Sequence, residues 1–125
     1  MELTKMKEFE NKVVLITGGA DGIGKGCVMR FAEQGATVII GDIQSDKGHA
    51  LADEIGASAR FVHLDVTDDQ AWQNAVALIT REFGALHILV NNAGVSSRTT
   101  IEDLDLAGWR AIHAVNLDAI FLGSH

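Results

Sequence analysis

The sequence predicts a doubly wound α/β fold, in which helices cover both faces of a parallel sheet. Two observations predict it: short apolar runs alternate with longer amphipathic stretches, and glycines close the first run and most of the amphipathic stretches. Parallel strands joined by right-handed crossovers are buried on both faces. We therefore expect a parallel sheet of which four strands are present, with the remainder of the sheet missing from these residues.

Length and charge restrict the classes of protein that fit. The chain has 125 residues, enough for one domain with a core, and its 10 basic and 17 acidic side chains give a net charge of −7. An acidic surface repels phosphate backbones and anionic lipids, so we expect no nucleic acid and no membrane as partner. One cysteine, no secretory signal and no apolar run long enough to span a bilayer favour a cytoplasmic protein.

The first strand–helix unit follows a charged segment. Residues 1–10 are predicted to be an N-terminal extension. Residues 11–125 are predicted to belong to a single domain, of which they reach a point within the last helix. Val13–Thr17 is an apolar run and predicts the first strand. The helix after it is expected to face the sheet with Ile23, Cys27 and Phe31, and to end at Gly35.

The second and third strands flank a second helix. Thr37–Gly41 and Arg60–Leu64 are the apolar runs that predict these strands. Ser45 is predicted to cap the intervening helix, which continues to Ile55 ahead of a glycine.

The third helix has a predicted capping box at its start, formed by Thr67 and Gln70. Gly84 ends this helix. Its predicted inward residues are Trp72, Val76, Ile79 and Phe83.

His87–Val90 predicts the fourth strand, and a last helix is predicted to begin near Asp105. The sequence shows no stop signal for this last helix. Its apolar residues are Trp109, Ile112, Val115 and Ile120.

The turn between the first strand and the first helix is rich in glycine, with Gly18, Gly22 and Gly24 in eight residues from Thr17. Glycines let the backbone turn tightly and approach a ligand, and a helix N-terminus offers N–H donors to a phosphate. A tight connection that binds nothing is the alternative. The spacing differs from the G-x-G-x-x-G of many dinucleotide-binding proteins.

The same segment partly fits the start of a P-loop, since Gly19 precedes Gly24 and Lys25 at the required spacing. Gly26 stands where a P-loop has a serine or threonine, so the hydroxyl that holds magnesium is missing. Protection against unfolding by magnesium ATP rather than NADH would favour this alternative.

Asp42 lies just past the second predicted strand, about 20 residues after the glycine turn. In a dinucleotide-binding fold an acid there accepts hydrogen bonds from the adenosine ribose hydroxyls. A 2′-phosphate would meet a like charge, and Asp21, Ile43 and the absence of a nearby arginine add to this preference. The pattern favours NAD over NADP, with a solvated acid at a strand end as the alternative.

Three motifs together resemble the short-chain dehydrogenase/reductase family, from Asn11 onward. They are Thr17-Gly18-x-x-x-Gly22-x-Gly24, Asp65-Val66 after the third strand, and Asn91-Asn92-Ala93-Gly94 after the fourth. The resemblance implies a Rossmann-like domain with its strands in the spatial order 3-2-1-4 and its ligand across the carboxyl ends of the strands.

The resemblance also implies roles for matching positions. The cofactor-binding residues would be Gly18, Asp21, Gly22, Ile23 and Gly24 at the pyrophosphate and adenosine side, Asp42 and Ile43 at the ribose, Asp65 and Val66 at the adenine, and Asn92, Ala93 and Gly94 at the nicotinamide ribose. Asn91 would brace the end of the fourth strand. Asn116 matches a catalytic helix asparagine that holds a water in the proton relay, and we assign no metal site.

The activity that the resemblance implies is NAD-dependent hydride transfer between a secondary alcohol and its ketone, in a homo-oligomer such as a dimer or tetramer. The family moves the proton with a tyrosine, whose pKa a lysine four residues later lowers, while a serine orients the substrate. This chain contains no tyrosine, and no lysine follows Lys47. We therefore expect these residues alone to be inactive, and a non-catalytic dinucleotide-binding fragment is the alternative.

Overall fold

The computed structural model describes residues 7–95, 100 and 102–124, and it shows strands and helices in alternation. The strands are β1 Val13–Thr17, β2 Thr37–Asp42, β3 Ala59–His63 and β4 Ile88–Val90. The helices are α1 Gly22–Glu33, α2 Ser45–Ile55, α3 Asp69–Phe83, α4 Leu106–His113 and α5 Ala119–Ser124. A π-helical turn, Ala114–Asp118, joins α4 to α5.

The sheet has the order β3-β2-β1-β4 with all pairs parallel, which confirms the predicted fold class and strand order. Strand β1 is central, and Val14 lies opposite Val38 of β2 and Ile88 of β4. The chain passes from β1 through α1 to β2 on one side of β1, whereas β4 lies on the other side, so a crevice for ligands opens at the carboxyl ends of β1 and β4. Strand β1 has its predicted bounds, and the other three strands differ from theirs by one residue, as at Asp42, which is the last residue of β2.

Two apolar clusters cover the two faces of the sheet, because successive side chains of a strand point to opposite sides. Leu15 and Ile39 pack with Trp72 of α3 on one face. Val14 packs with Val28 of α1 on the other. Complete burial of such a side chain stabilises the fold by roughly 1.5–3 kcal/mol, so both faces contribute.

The predicted inward faces of two helices are wrong at one residue each. Ile23 is 81% exposed, because its neighbour Gly24 is the buried residue in the first turn of α1. Val76 is 40% exposed, because Ala75 and Ile79 occupy the inward positions of α3 one turn apart.

The predicted capping box of α3 is also wrong. Asp68 is the N-cap, and its carboxylate accepts a hydrogen bond from the Gln70 N–H at 3.0 Å. The Thr67 hydroxyl turns away from the helix and donates to Asp65 at 2.6 Å instead.

The other two predicted helix starts differ in outcome. Ser45 is the first residue of α2 rather than its cap, and the N-cap Gln44 makes no side-chain capping bond. Asp105 does cap α4, since its carboxylate accepts from the Gly108 N–H at 2.7 Å.

Residues 1–6 of the predicted N-terminal extension lie outside the described part of the chain. Within the rest, the ring of Phe9 packs on the ring of Phe31 at a centroid distance of 4.9 Å. The backbone N–H of Phe9 donates to the Gln34 carbonyl. The boundary between residues 10 and 11 stays a prediction. In the described ranges, none of the helices combines the length and the apolar character needed to cross a bilayer.

Candidate dinucleotide-binding crevice

A crevice of about 380 Å³ opens where the carboxyl ends of the four strands meet. Its volume falls in the range of small-molecule sites, about 300–1,000 Å³. The lining residues are Gly18, Asp21, Gly22, Asp42, Ile43, Gln44, Leu64, Asp65, Val66, Asn92, Ala93, Gly94, Val95 and Val115.

Most of the cofactor-binding residues predicted from the sequence line this one crevice. Ile23 and Gly24 are the predicted residues that do not line it. Sequence reasoning missed four lining residues, each of which adjoins a predicted site residue in the chain. These residues are Gln44, Leu64, Val95 and Val115.

The glycine turn has the backbone shape that only glycine adopts at low cost. Gly18 and Gly22 have φ angles of 64° and 57°, in the left-handed region. A Cβ at Gly22 would meet no atom within 4 Å, so the backbone there borders open space in the crevice. A Cβ at Gly24 would overlap the carbonyl oxygen of Gly18, so this glycine lets α1 pack directly on the turn.

One side of the crevice, which we term the acidic end, consists of Asp21, Asp42 and Asp65. Asp42 is 6% exposed, and its two carboxylate oxygens accept from the N–H groups of Ala20 at 3.1 Å and Gln44 at 3.0 Å. A carboxylate has about four acceptor sites, so each oxygen keeps one lone pair for a ligand. Asp42 can therefore hold the glycine turn and bind hydroxyl groups at the same time.

Asp65 lies just beyond β3 and is exposed. The hydroxyl and then the N–H of Thr67 both donate to its Oδ1, at 2.6 and 3.0 Å, and these bonds lower the pKa of the Asp65 carboxyl. Neither bond uses Oδ2. Oδ2 of the ionised carboxylate is thus held in a fixed orientation and can accept a hydrogen bond from a ligand.

Asp21 carries an ion pair that the sequence reading did not foresee. Lys47, in the first turn of α2, places its Nζ 2.8 Å from Asp21 Oδ2. The bond from Lys47, followed by the bond from the Gly22 N–H, lowers the pKa of Asp21. The sequence reading considered only arginine as a cation near these acids, whereas the structure places a lysine there.

The other side, which we term the amide end, comprises Asn92, which lines the crevice, and Thr17 and Asn116, which brace the segments around it. Thr17 is 1% exposed, and its hydroxyl oxygen accepts hydrogen bonds from the N–H groups of Asn92 at 2.9 Å and Ala93 at 3.0 Å. The Asn92 side chain donates to the Gly18 carbonyl at 3.2 Å. These bonds tie the end of β4 to the glycine turn.

Asn116 lies in the π-helical turn, and both halves of its amide bind the backbone of Val95. Its Oδ1 accepts from the Val95 N–H at 2.8 Å and its Nδ2 donates to the Val95 carbonyl at 2.7 Å. Asn91, next to the strand end, donates instead to the Ser124 hydroxyl at 3.4 Å. The catalytic role of Asn116 stays a prediction, and its side chain fixes the segment that follows β4.

In the described part of the chain, acidic and histidine side chains do not form a group of metal ligands. Over residues 7–95, 100 and 102–124, no group of three or more His, Cys, Asp or Glu side chains could hold a metal ion.

Comparison with known proteins places this fold and crevice in a family. The short chain dehydrogenase family matches residues 12–125, and the chain belongs to that family. This finding outweighs the P-loop interpretation of the glycine turn.

Several relatives are dehydrogenases. A 3-alpha-(or 20-beta)-hydroxysteroid dehydrogenase of Mycobacterium tuberculosis is 47% identical over 90% of this chain and 43% of its own length. A 2,5-dichloro-2,5-cyclohexadiene-1,4-diol dehydrogenase of Sphingobium indicum is 45% identical over 90% of this chain and 46% of its own. A cyclopentanol dehydrogenase of Comamonas testosteroni is 39% identical over 95% and 49%. The chain thus spans less than half the length of these relatives.

Proposed function

We propose that this chain is the cofactor-binding part of an NAD-dependent oxidoreductase that interconverts a secondary alcohol and its ketone. The observation that carries the proposal is the buried carboxylate of Asp42, with free lone pairs, in the same crevice as the left-handed glycines Gly18 and Gly22. A dinucleotide requires a carboxylate that accepts hydrogen bonds from the ribose hydroxyls, beside a glycine turn whose N–H groups donate to the phosphates.

The residues present fit an adenine dinucleotide. The open space over Gly22 and the N-terminus of α1 suit the pyrophosphate, because a Cβ at Gly22 would meet no atom within 4 Å. Asp42 suits the adenosine ribose, and the free Oδ2 of Asp65 suits the adenine amino group, with Val66 against the ring. Asn92, Ala93 and Gly94 then border the nicotinamide ribose.

Charge at the acidic end favours NAD over NADP. A 2′-phosphate would adjoin the carboxylate of Asp42, whose burial limits the screening of that repulsion by water. The cation of Lys47 is already engaged by Asp21 at 2.8 Å, so it offers little free charge to the phosphate.

The bound nicotinamide would supply or accept the hydride. The amide end of this chain positions that reaction: Thr17 and Asn92 hold the end of β4, and Asn116 holds Val95. The Asn116 amide uses one donor and one acceptor on Val95, so its second N–H and second lone pair would be available to a water in a proton relay. The proton-carrying tyrosine is not among these 125 residues, which contain none.

The substrate that we propose is an alicyclic secondary alcohol or the matching ketone. The relatives named above act, by their names, on a hydroxysteroid, a cyclohexadiene diol and cyclopentanol. In this chain, Val95 and Val115 make the crevice apolar beside Gly94, which suits a ring without charge.

We also propose a cytoplasmic homo-oligomer, a dimer or tetramer. Large apolar side chains stand exposed along α4 and the segments after it, including Leu106, Trp109 and Leu117. Such a surface favours self-association. Sedimentation velocity of the intact protein would show a monomer if this proposal is wrong.

The central experiment compares NADH and NADPH binding by the intact protein before and after Asp42→Ala. We expect NADH to bind more tightly, and the substitution to weaken NADH by about 1.5–3 kcal/mol, the typical contribution of hydrogen bonds to a charged group. NADPH affinity should stay equal or rise, because a like charge is removed. Fluorescence titration measures both.

Asp53→Ala is the matched control, since it removes an exposed acid from α2 outside the crevice. It should change neither affinity. Tighter binding of NADPH by the unmodified protein would refute the choice of cofactor, and equal losses for both cofactors in Asp42→Ala would reduce Asp42 to a structural role.

A further inference from the structure

Trp72 is a buried indole beneath the loop that joins β3 to α3. It is 4% exposed, and its Nε1–H donates to the Val66 carbonyl at 2.8 Å. Val66 lines the crevice next to Asp65. The sequence reading of Trp72 as a core residue is right, but this hydrogen bond gives the residue a second task.

The loop that holds Asp65 and Val66 is otherwise braced by short-range bonds. Thr67 binds the Asp65 carboxylate, and the Asp68 N–H donates to the Asp65 carbonyl at 3.1 Å. These bonds set the shape of the loop and tie it to Asp68, the N-cap of α3. The indole bond adds a link from the Val66 carbonyl to a side chain inside the core, so it limits how far Val66 can shift relative to α3.

The indole cannot readily change its orientation. A Cβ on Gly123 of α5 would lie 2.6 and 2.8 Å from two atoms of its six-membered ring, so the backbone of α5 lies directly against that ring. Trp72 also shares a core cluster with Val66 and Ala119. The ring is therefore confined between the loop on one side and α5 on the other.

We propose that Trp72 is a positioning residue for the adenine subsite, acting through the Val66 carbonyl, and that α5 holds it in place through Gly123. This inference rests on the proposed function, because Val66 and Asp65 are the residues assigned to adenine. It extends that function to a residue that touches no cofactor, and it links the last helix of the chain to cofactor affinity.

The test uses Trp72→Phe in the intact protein, which keeps an aromatic ring but removes the N–H donor. We expect NADH to bind about fivefold more weakly, the effect of one lost hydrogen bond. Reduced nicotinamide mononucleotide, which lacks the adenosine half, should bind as it does to the unmodified protein. Trp109→Phe is the matched control, because the Trp109 indole is 46% exposed on α4, and it should change neither affinity.

Gly123→Ala provides a second route, since its methyl group would displace the ring without altering Trp72 itself; the methyl group would also lie 2.9 Å from Oδ1 of Asn91, next to the end of β4. It should weaken the binding of NADH more than that of the mononucleotide. This second variant decides the matter if Trp72→Phe does not fold.

Three outcomes would overturn the inference. Equal losses for both ligands would show a general structural role, and unchanged NADH affinity in a folded Trp72→Phe or Gly123→Ala variant would show that the loop needs no such support. Failure of the unmodified protein to bind NADH would refute the proposed function as well, so the two failures are distinguishable.

Discussion

The two ends of the crevice use their polar side chains in different ways. At the acidic end, Asp42 and Asp65 bind backbone groups and still retain acceptor sites that face the crevice. At the amide end, the Thr17 hydroxyl and the amide groups of Asn92 and Asn116 are engaged by the protein itself. The acidic end is arranged to bind a ligand, and the amide end to build the wall on which a ligand lies.

The difference reflects the number of hydrogen bonds that each group can form. An ionised carboxylate accepts about four hydrogen bonds. A hydroxyl or amide accepts fewer, and its remaining hydrogen-bonding capacity lies in its O–H or N–H donors. A carboxylate can therefore brace the protein and bind a ligand together. We expect substitutions at the amide end to lower stability, and those at the acidic end to change binding and its pH dependence.

The largest effect is expected from Gly24→Ala, where α1 packs on the turn between the two ends. The new methyl group would overlap the Gly18 carbonyl oxygen, and backbone atoms would have to move. We expect a loss of more than about 3 kcal/mol in the free energy of unfolding, beyond the usual cost of overpacking, together with weaker NADH binding.

Gly26→Ala is the control for that change, because it lies in the same helix and its Cβ would meet no atom within 4 Å. It should stabilise the protein by about 0.5–1 kcal/mol, as alanine does in a helix. Urea unfolding measures both variants. Equal effects of the two would mean that the close contact at Gly24 is unimportant.

Thr17→Val tests the amide end. Valine fills the same volume but leaves the N–H groups of Asn92 and Ala93 without their acceptor in a buried place. We expect a loss of roughly 2–4 kcal/mol, from two unsatisfied donors. Thr17→Ser keeps the hydroxyl and should lose only about 0.8 kcal/mol, for one methyl group. If thermal and urea unfolding rank the two variants in the opposite order, the hydroxyl is not the brace described above.

Thr67→Val tests the acidic end and should have the smallest effect, below about 1 kcal/mol, because Asp65 is exposed. The Thr67 hydroxyl lowers the pKa of Asp65 below its usual 3.8. A lowered folded-state pKa stabilises the protein above the unfolded value, and the stabilisation is lost as the pH falls through the folded value.

The difference in unfolding free energy between the unmodified protein and Thr67→Val should therefore be larger at neutral pH than near pH 2 or 3. A carboxyl titration followed by NMR should show the pKa of Asp65 rising in the variant. Thr67→Ser keeps the donor and should titrate like the unmodified protein. A difference that grows on acidification would contradict the role of this bond.

Much of the site was predictable because each motif stands at a strand end. In a parallel sheet the carboxyl ends of all strands meet at one edge, so Asp42, Asp65 and Asn92 had to lie near one another once the strands were recognised. Ile23 does not line the crevice, because adjacency in a motif does not decide which side of a helix a residue occupies, and its role in cofactor binding stays a prediction. Val115 and Lys47 were missed because each reaches the crevice or its rim from another helix.

The sequence by itself determined the alternation of strands and helices, the position of the crevice and the acidic character of one end, since these follow from hydrophobic periodicity and from residues local to each turn. Only the tertiary structure decided which side chains remain free for a ligand. That depends on contacts between segments distant in the chain, such as Thr17 with Asn92, Asp21 with Lys47, and Trp72 with Gly123. Hydrogen-bonding capacity can be counted from a sequence, but how it is used depends on the neighbours that folding supplies.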